Sequence, residues 1–297
     1  MTEHRFVDVS ESGAHLHLDQ GNLVIDLEDG VQSRVPVADL AAVAISHPRV
    51  AVSRSLLAAL AGEAVGFVVC DDHHMPVGMM LPLATHYVQA ERFALQVAAP
   101  LPMRKRLWQQ VVRAKIRAQA SLLEELRGKD AGLRALAGQV RSGDSTNLEA
   151  QAARRYWSLL IPEPGFVRDR YGPWPNPMLN YGYAILRAIT ARAIAMSGLH
   201  PSLGLHHHNR YDAFCLADDL MEPFRPVVDR AVIVGCSAHE AAAGLQRSDK
   251  TVVLQALQGR FLHDGQERSL FDWLSRMTSS LAEVFDGDAR NLVIPAL

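Results

Sequence analysis

The chain has 297 residues, 48% of them apolar and 21% charged, with no low-complexity tract; this bounds it to one or two globular domains and excludes a disordered chain. No run of eighteen apolar residues occurs, which excludes an apolar membrane-spanning helix. The net charge of −2 conceals a segregation: residues 1–92 hold twelve acids and five bases, residues 93–155 hold twelve bases and five acids, and the remainder is near balance.

A basic middle segment is the footprint either of a polyanion site or of a solvated helix face. The N-terminus MTEHRFVDVSES lacks the basic and apolar regions of a signal peptide, so a cytoplasmic protein is expected. Cys70, Cys215 and Cys236 show no CxxC spacing, which argues against a zinc ribbon or a disulfide framework.

In chain order, HLHLD (15–19) and NLVIDLE (22–28) alternate apolar and polar residues around Gln20-Gly21, the pattern of a hairpin. LAAVAIS (40–46) and GFVVCDD (66–72) are short apolar runs that predict buried strands. Between them SRSLLAALAGE (53–63) predicts a helix capped by Ser53. The period turns helical from about residue 87. RKRLWQQVVRAKIRAQASLLEELRG (104–128) places Leu107, Val111, Ala118 and Leu122 near one face and Arg106, Arg113 and Arg117 near another. LEAQAARRYWSLL (148–160) predicts a second helix, and a Pro/Gly-rich loop follows as far as Pro177. MLNYGYAILRAITARAIAMSGL (178–199) predicts a long apolar helix, and 217–246, 248–257 and 268–286 also read as helical. The predicted class is α+β: a small β-rich domain over residues 1–86, then a larger all-α-helical domain over 87–297.

Several chemistries have no motif. There is no GxxxxGK[ST], no GxGxxG after a strand and no GxSxG, and His239-Glu240 begins an HExxH pattern without the second histidine. This leaves GLHHHNRYDAFCLADDLMEPFRP (204–226) as the densest chemical stretch. Asp218 is placed as a helix N-cap. Asp219 and Glu222 are spaced i, i+3, on one side of a first turn. Pro223 and Pro226 deprive the carbonyls of Asp219 and Glu222 of their usual partners, so the helix start is distorted. Two carboxylates and an imidazole suit Mg²⁺ or Mn²⁺ better than a structural zinc ion. The same residues also read as surface histidines with acids that only cap a helix and meet its dipole.

A second acid is ambiguous in the same way. Thr146-Asn147-Leu148-Glu149 matches a capping box, in which the glutamate reaches back to the N-cap amide. Trp108, Tyr156 and Trp157 read as core or interface aromatics.

Three separated elements, in order, resemble the CRISPR-associated spacer integrases, the family of the universal first-numbered Cas protein. They are Glu149-Ala150-Gln151-Ala152-Ala153-Arg154-Arg155-Tyr156-Trp157, LNYGYAILRA (179–188), and GLHH followed by LADDLMEPFRP. The double-histidine form and RLWQQVVRAKIRAQA are most similar to the type II branch. The resemblance spans essentially the whole chain. It implies a divalent metal, Mg²⁺ or Mn²⁺, held by Glu149, His207 and Glu222, with Asp219 as an auxiliary catalytic acid. His206 and His208 then belong to the loop, contacting phosphate or orienting His207. Asp212 stands where many relatives carry asparagine.

The implied reaction joins the 3′-hydroxyl ends of a prespacer duplex to the CRISPR repeat by transesterification, with nuclease activity from the same site. The implied partners are DNA, a second copy of the chain through the β-rich domain, the small second CRISPR adaptation protein in a hetero-hexamer, and a type II effector nuclease. Within this reading Arg104, Arg106, Arg113, Arg117, Arg154 and Arg155 are the expected DNA-binding residues, with Lys105 and Lys115 beside them as further phosphate contacts. For Tyr181 and Tyr183 the resemblance places an aromatic near DNA. Two other readings stay open, a metal-dependent hydrolase of a small substrate and a non-catalytic DNA-binding scaffold.

Overall fold

The alternating and the continuous apolar runs near the N-terminus build two four-stranded sheets. In a computed structural model, residues 5–10, 12–71, 76–82, 86–163, 165–235 and 245–296 are described. The HExxH-like start and residues 236–244 of the predicted helical span 217–246 lie outside them. The described chain divides into two compact units, Met1–Tyr87 and Val88–Leu297.

Unit 1 runs β1 (Arg5–Val9), β2 (Ala14–Asp19), β3 (Asn22–Leu27), β4 (Gln32–Pro36), β5 (Leu40–Ile45), β6 (Val50–Val52), α1 (Arg54–Gly62), β7 (Gly66–Cys70) and β8 (Pro76–Met80). One sheet has the order β1-β5-β7-β8 and the other β4-β3-β2-β6. The predicted hairpin forms between β2 and β3, with Gln20 and Gly21 both at positive φ, as a tight turn with matched twist requires. Its inner face carries Leu16 and Leu23, both fully buried. These join Leu40, Val43 and Phe67 of the other sheet and Leu56 and Leu60 of α1 in a single core. Ser53 caps α1, its hydroxyl accepting the Leu56 N–H at 3.3 Å.

Unit 2 contains α2 (Gln89–Ala98), α3 (Leu101–Arg127), α4 (Leu133–Gln139), α5 (Leu148–Leu160), α6 (Asn176–Met196), α7 (Cys215–Met221), α8 (Arg225–Gly235), α9 (Arg247–Leu257), the hairpin β9 (Arg260–His263) and β10 (Gln266–Ser269), and α10 (Leu270–Asp286). The class is α+β, as the sequence predicts. The small β9–β10 hairpin is an addition that the helical periodicity of its neighbours hides. No helix among the described residues is long and apolar enough to cross a membrane.

α3 packs against α4, α5 and α8, and α6 packs against α7, α8, α9 and α10. Close approach of α6 to α8 requires Gly182, because a Cβ there would lie 2.4 Å from a methyl of Val228. The three helices α5, α6 and α8 are also tied by a buried polar knot. Tyr156 donates its hydroxyl to Asp229 at 2.7 Å, and Tyr183 donates to the other oxygen of the same carboxylate. Tyr181 and Tyr183 are both buried.

Burial raises the Asp229 pKa to about 6, against the opposing effect of the Tyr183 and Tyr156 hydrogen bonds. The native state therefore keeps this proton to higher pH than the unfolded chain. Its contribution is fully present below the ordinary value of 3.8 and is lost as pH rises through about 6. Relative to Asp229→Asn, the wild-type protein is expected to lose about 3 kcal/mol of unfolding free energy between those two limits. Urea denaturation of both proteins across that window measures the difference, and parallel curves would refute it.

Candidate functional site

Glu149 opens α5, yet it does not cap it. The N-cap position belongs to Asn147, at φ 52°, with no side-chain cap bond. The free amides of the first turn are met from upstream instead: the Asp144 carboxylate accepts the Leu148 N–H at 2.9 Å and the Glu149 N–H at 3.0 Å. The capping box read from Thr146 to Glu149 does not form, because Asp144 already serves those donors. This frees the Glu149 side chain, whose Oε1 lies 2.6 Å from Lys115 Nζ on α3.

Glu222 reaches the same nitrogen from another element. Pro223 and Pro226 lack amide hydrogens, and helix α7 gives way to a 3-10 turn at Glu222–Phe224 before α8 begins. On that turn Glu222 is 4% exposed. Its Oε2 is 2.6 Å from Lys115 Nζ, and its Oε1 is 3.0 Å from an Arg225 guanidinium nitrogen. Oε2 is buried and has the Lys115 ammonium as its charged neighbour. Two 2.6 Å contacts on one nitrogen place the two carboxylate oxygens at most 5.2 Å apart.

The charges hold one another in place. Burial opposes ionisation of Glu222, but Arg225 and Lys115 outweigh it and hold its carboxyl below the usual value. Burial likewise disfavours the Lys115 ammonium, and Glu222 and Glu149 outweigh that in turn.

His207 stands in the loop before α7. Asp219, fully buried, accepts the backbone N–H of Leu205 at 2.6 Å and of His206 at 2.9 Å, and its other oxygen accepts His207 Nδ1–H at 2.6 Å. One carboxylate thus folds the loop and fixes the imidazole tautomer, leaving Nε2 free. The His207 side chain is 47% exposed. The Asp219 hydrogen bond raises its pKa, burial opposes this, and the Asp219 and Glu222 charges add to it. Gly204 is required for this turn, since a Cβ there would lie 2.4 Å from the His207 carbonyl oxygen.

Three of the sequence-predicted residues are therefore neighbours, with one qualification. Glu149 and Glu222 meet at Lys115, and His207 is coupled to Glu222 by charge. Their ligand atoms do not all lie within 4.8 Å of one another. The residues nevertheless fit a divalent cation. Two carboxylates converge on one position of positive charge, and a buried acid takes His207 Nδ1, which leaves the Nε2 of a charge-coupled imidazole as a candidate donor atom. Asp219 is a positioning residue rather than a ligand, because its oxygens are used by the loop.

Other sequence assignments need correction. Asp218 is not the cap of α7. The helix begins at Cys215 with Phe214 in the N-cap position, because Cys215, Leu216 and Ala217 are buried and helical. Asp218 instead pairs bidentately with Arg187 of α6, at 2.6 and 2.7 Å. Lys115, grouped with phosphate contacts by its place in a basic run, faces inward. Arg113 is partly committed as well, donating to the Val140 carbonyl at 2.8 Å. Arg104 and Arg106 are half-buried, whereas Lys105, Arg117, Arg154 and Arg155 are exposed. Trp108, 1% exposed, stacks on His206 with ring centroids 4.5 Å apart and planes 2° apart, so the first of the three histidines is held against α3. His208 is exposed. Asp212 accepts the Phe214 N–H at 2.8 Å. Lys115 is the residue that sequence reasoning missed. Its only signal was a cation on the α3 face turned away from Arg106, Arg113 and Arg117.

Known proteins are similar to this chain over most of its length. The family described as CRISPR associated protein Cas1 matches residues 7–257. A protein of Neisseria meningitidis serogroup C (strain 8013), named CRISPR-associated endonuclease Cas1, is 35% identical over 291 residues, covering 97% of this chain and 94% of that protein. Among solved structures, a casposase bound to integration product superposes with a TM-score of 0.82 at 20% identity, covering 97% of this chain and 92% of the other. A Cas6-RT-Cas1–Cas2 complex chain gives a TM-score of 0.76 at 18% identity, covering all of this chain and 37% of that one. Both show a shared fold.

The arrangement makes Lys115 structurally necessary. Lys115→Met leaves two carboxylates facing each other across a buried space, and is expected to cost about 3–5 kcal/mol of stability without divalent metal. Chemical denaturation in EDTA measures this, and an unchanged midpoint would show that the ion pairs contribute nothing.

Proposed function

The chain belongs to the CRISPR associated protein Cas1 family, and from that premise we propose that it is a metal-dependent DNA integrase and endonuclease of CRISPR adaptation. The observation that carries the reading is the meeting of Glu149 and Glu222 from two separate elements on one buried cation, beside an imidazole aimed by Asp219.

In this reading Glu149, Glu222 and His207 would hold one Mg²⁺ or Mn²⁺ ion. A bound ion supplies a lowered pKa for an attacking hydroxyl and neutralises charge on the phosphate. Asp219 keeps His207 in the tautomer that presents Nε2. Lys115 balances the two carboxylates while no divalent ion does so. The reaction exchanges one phosphodiester for another: the prespacer 3′-oxygen forms a bond to phosphorus and gives up its proton as the bond at the repeat edge breaks, and the leaving strand keeps its oxygen and ends as a hydroxyl with a proton gained. No nucleotide hydrolysis is needed, which agrees with the absence of a P-loop motif. Water in place of the strand end converts the same chemistry to nuclease action.

Of the cations expected to bind DNA, Arg117, Arg154, Arg155 and Lys105 are exposed, and they are assigned to phosphate contacts. Arg154 and Arg155 lie on α5 within two turns of Glu149. Arg104, Arg106 and Arg113, being half-buried, act more as supports of α3. The acidic β-rich unit suits a protein partner better than DNA, and a second copy of the chain is the occupant assigned to it. The solved Cas1–Cas2 complex and the casposase bound to integration product support a small second adaptation protein and DNA as partners here too. A hetero-hexamer and a type II effector nuclease complete the proposed assembly.

The test is covalent joining of a short duplex with free 3′-hydroxyl ends to a repeat-bearing supercoiled plasmid, with the small partner protein and Mn²⁺ present. Joining is expected to stop in EDTA and to fall about 100-fold or more in Glu149→Gln, His207→Ala and Glu222→Gln. Joining that survives all three substitutions would remove the site assignment and leave a scaffold. Turnover of a small substrate without DNA would favour the hydrolase reading. For the phosphate contacts, Arg154→Ala and Arg155→Ala should each lower the log–log salt slope of DNA binding by about 1, with little change in sequence preference.

A further inference from the structure

The outward face of the β4-β3-β2-β6 sheet carries a side-chain cluster that the proposed reaction does not use. His15 and His17 are two apart on β2 and so project from the same face. Asp26 on β3 is the direct cross-strand partner of His15, and such partners hold their Cβ atoms about 4.5–5.5 Å apart. His17 is the diagonal neighbour, and its Nε2 lies 2.9 Å from Asp26 Oδ2. The two imidazoles stack with centroids 5.2 Å apart and planes inclined by 21°.

One ligand atom from each of the three residues lies within 4.8 Å of the other two, and no other trio of histidine, cysteine, aspartate and glutamate does so among the described residues. The carboxylate is also oriented from behind. Gln32, cross-strand partner of Asp26 on β4, donates its amide to Asp26 Oδ1 at 2.7 Å, which turns Oδ2 to His17. The hairpin is anchored by Leu16, Leu23 and Ile25, buried on its inner face.

We infer that His15, His17 and Asp26 form a binding site for one transition-metal ion of the Zn²⁺ class. Two imidazole nitrogens and one carboxylate oxygen suit Zn²⁺, and also Ni²⁺ or Cu²⁺, whereas Mg²⁺ and Mn²⁺ prefer an oxygen-rich set such as that of the helical unit. The three donors come from two adjacent strands, so a bound ion takes the place of the hydrogen between His17 and Asp26 and cross-links β2 to β3. Three protein ligands leave a tetrahedral ion one position short. His15 is exposed, so that position is open to water or to an external ligand. Gln32 plays the orienting part that carboxylate ligands take from their hydrogen-bonded neighbours.

The inference is independent of the integrase reading, and the test keeps the two apart. Zn²⁺ is titrated calorimetrically into the full chain carrying Glu149→Gln and His207→Ala, which disables the helical-unit site. One equivalent is expected to bind. Adding His15→Gln or His17→Ala should weaken that event at least about tenfold, and Gln32→Ala should weaken it by about tenfold. Mg²⁺ should not compete. His15→Gln alters an exposed ring, so a melting curve in EDTA matching that of its parent keeps the result interpretable even if His17→Ala folds poorly. Equal Zn²⁺ affinity with and without His15 and His17, or no binding to the parent, would overturn the site.

Discussion

A single buried ammonium organises the helical unit. Lys115 Nζ sits 2.6 Å from carboxylates that arrive on α5 and on the 3-10 turn between α7 and α8. Neither carboxylate could occupy that space alone with the other, because two desolvated negative charges at such separation repel strongly. The rest of the polar interior continues from this contact. Glu222 passes to Arg225, whose guanidinium lies 4.6 Å above the Tyr183 ring. Tyr183 donates to Asp229, and Tyr156 donates to the same carboxylate from α5, the helix that carries Glu149. The circuit therefore closes through α3, α5, α6 and α8. It makes the separation of Glu149 and Glu222 a property of the whole helical unit rather than of two local side chains.

The imidazole belongs to a second device with a different logic. Asp219 uses its carboxylate on three backbone amides and one ring nitrogen of the same loop. A fully buried acid surrounded by donors costs little and holds His207 in one tautomer. Trp108 closes the other side by stacking on His206. The three consecutive histidines, all exposed at the surface, consequently have different environments: His206 stacks on an indole and His207 bonds a buried acid, whereas His208 has neither contact. Their chemistry differs although their sequence positions do not.

The legible parts of the chain share a feature, which is that neighbours in sequence decide them. The β2–β3 hairpin, α1 with its Ser53 cap, α5 and the proline-broken turn at Glu222 all follow from alternation, capping or a missing amide hydrogen. Several residues had a local explanation that competed with a distant one. Glu149 matched a capping box, but Asp144 already met the amides. Asp218 matched a cap, but Arg187 lay across the interface with a bidentate fork. Lys115 matched its basic run, but two acids from elsewhere drew it inward. The β9–β10 hairpin was hidden for a related reason, since four-residue strands flanked by helices carry too little periodicity to stand out.

The amino-acid sequence by itself determined the α+β layout, the helical breaks and the residue types gathered in the motif around His207. These depend on interactions spanning a few residues, and such interactions are written directly in the order of side chains. Only the tertiary structure decided that Lys115 is the shared partner of Glu149 and Glu222, that Asp219 serves the loop, and which arginines remain exposed. Those outcomes turn on which charges meet after α3, α5 and α8 pack. The electrostatic gain is made only where burial removes water, and burial is a property of the assembled fold.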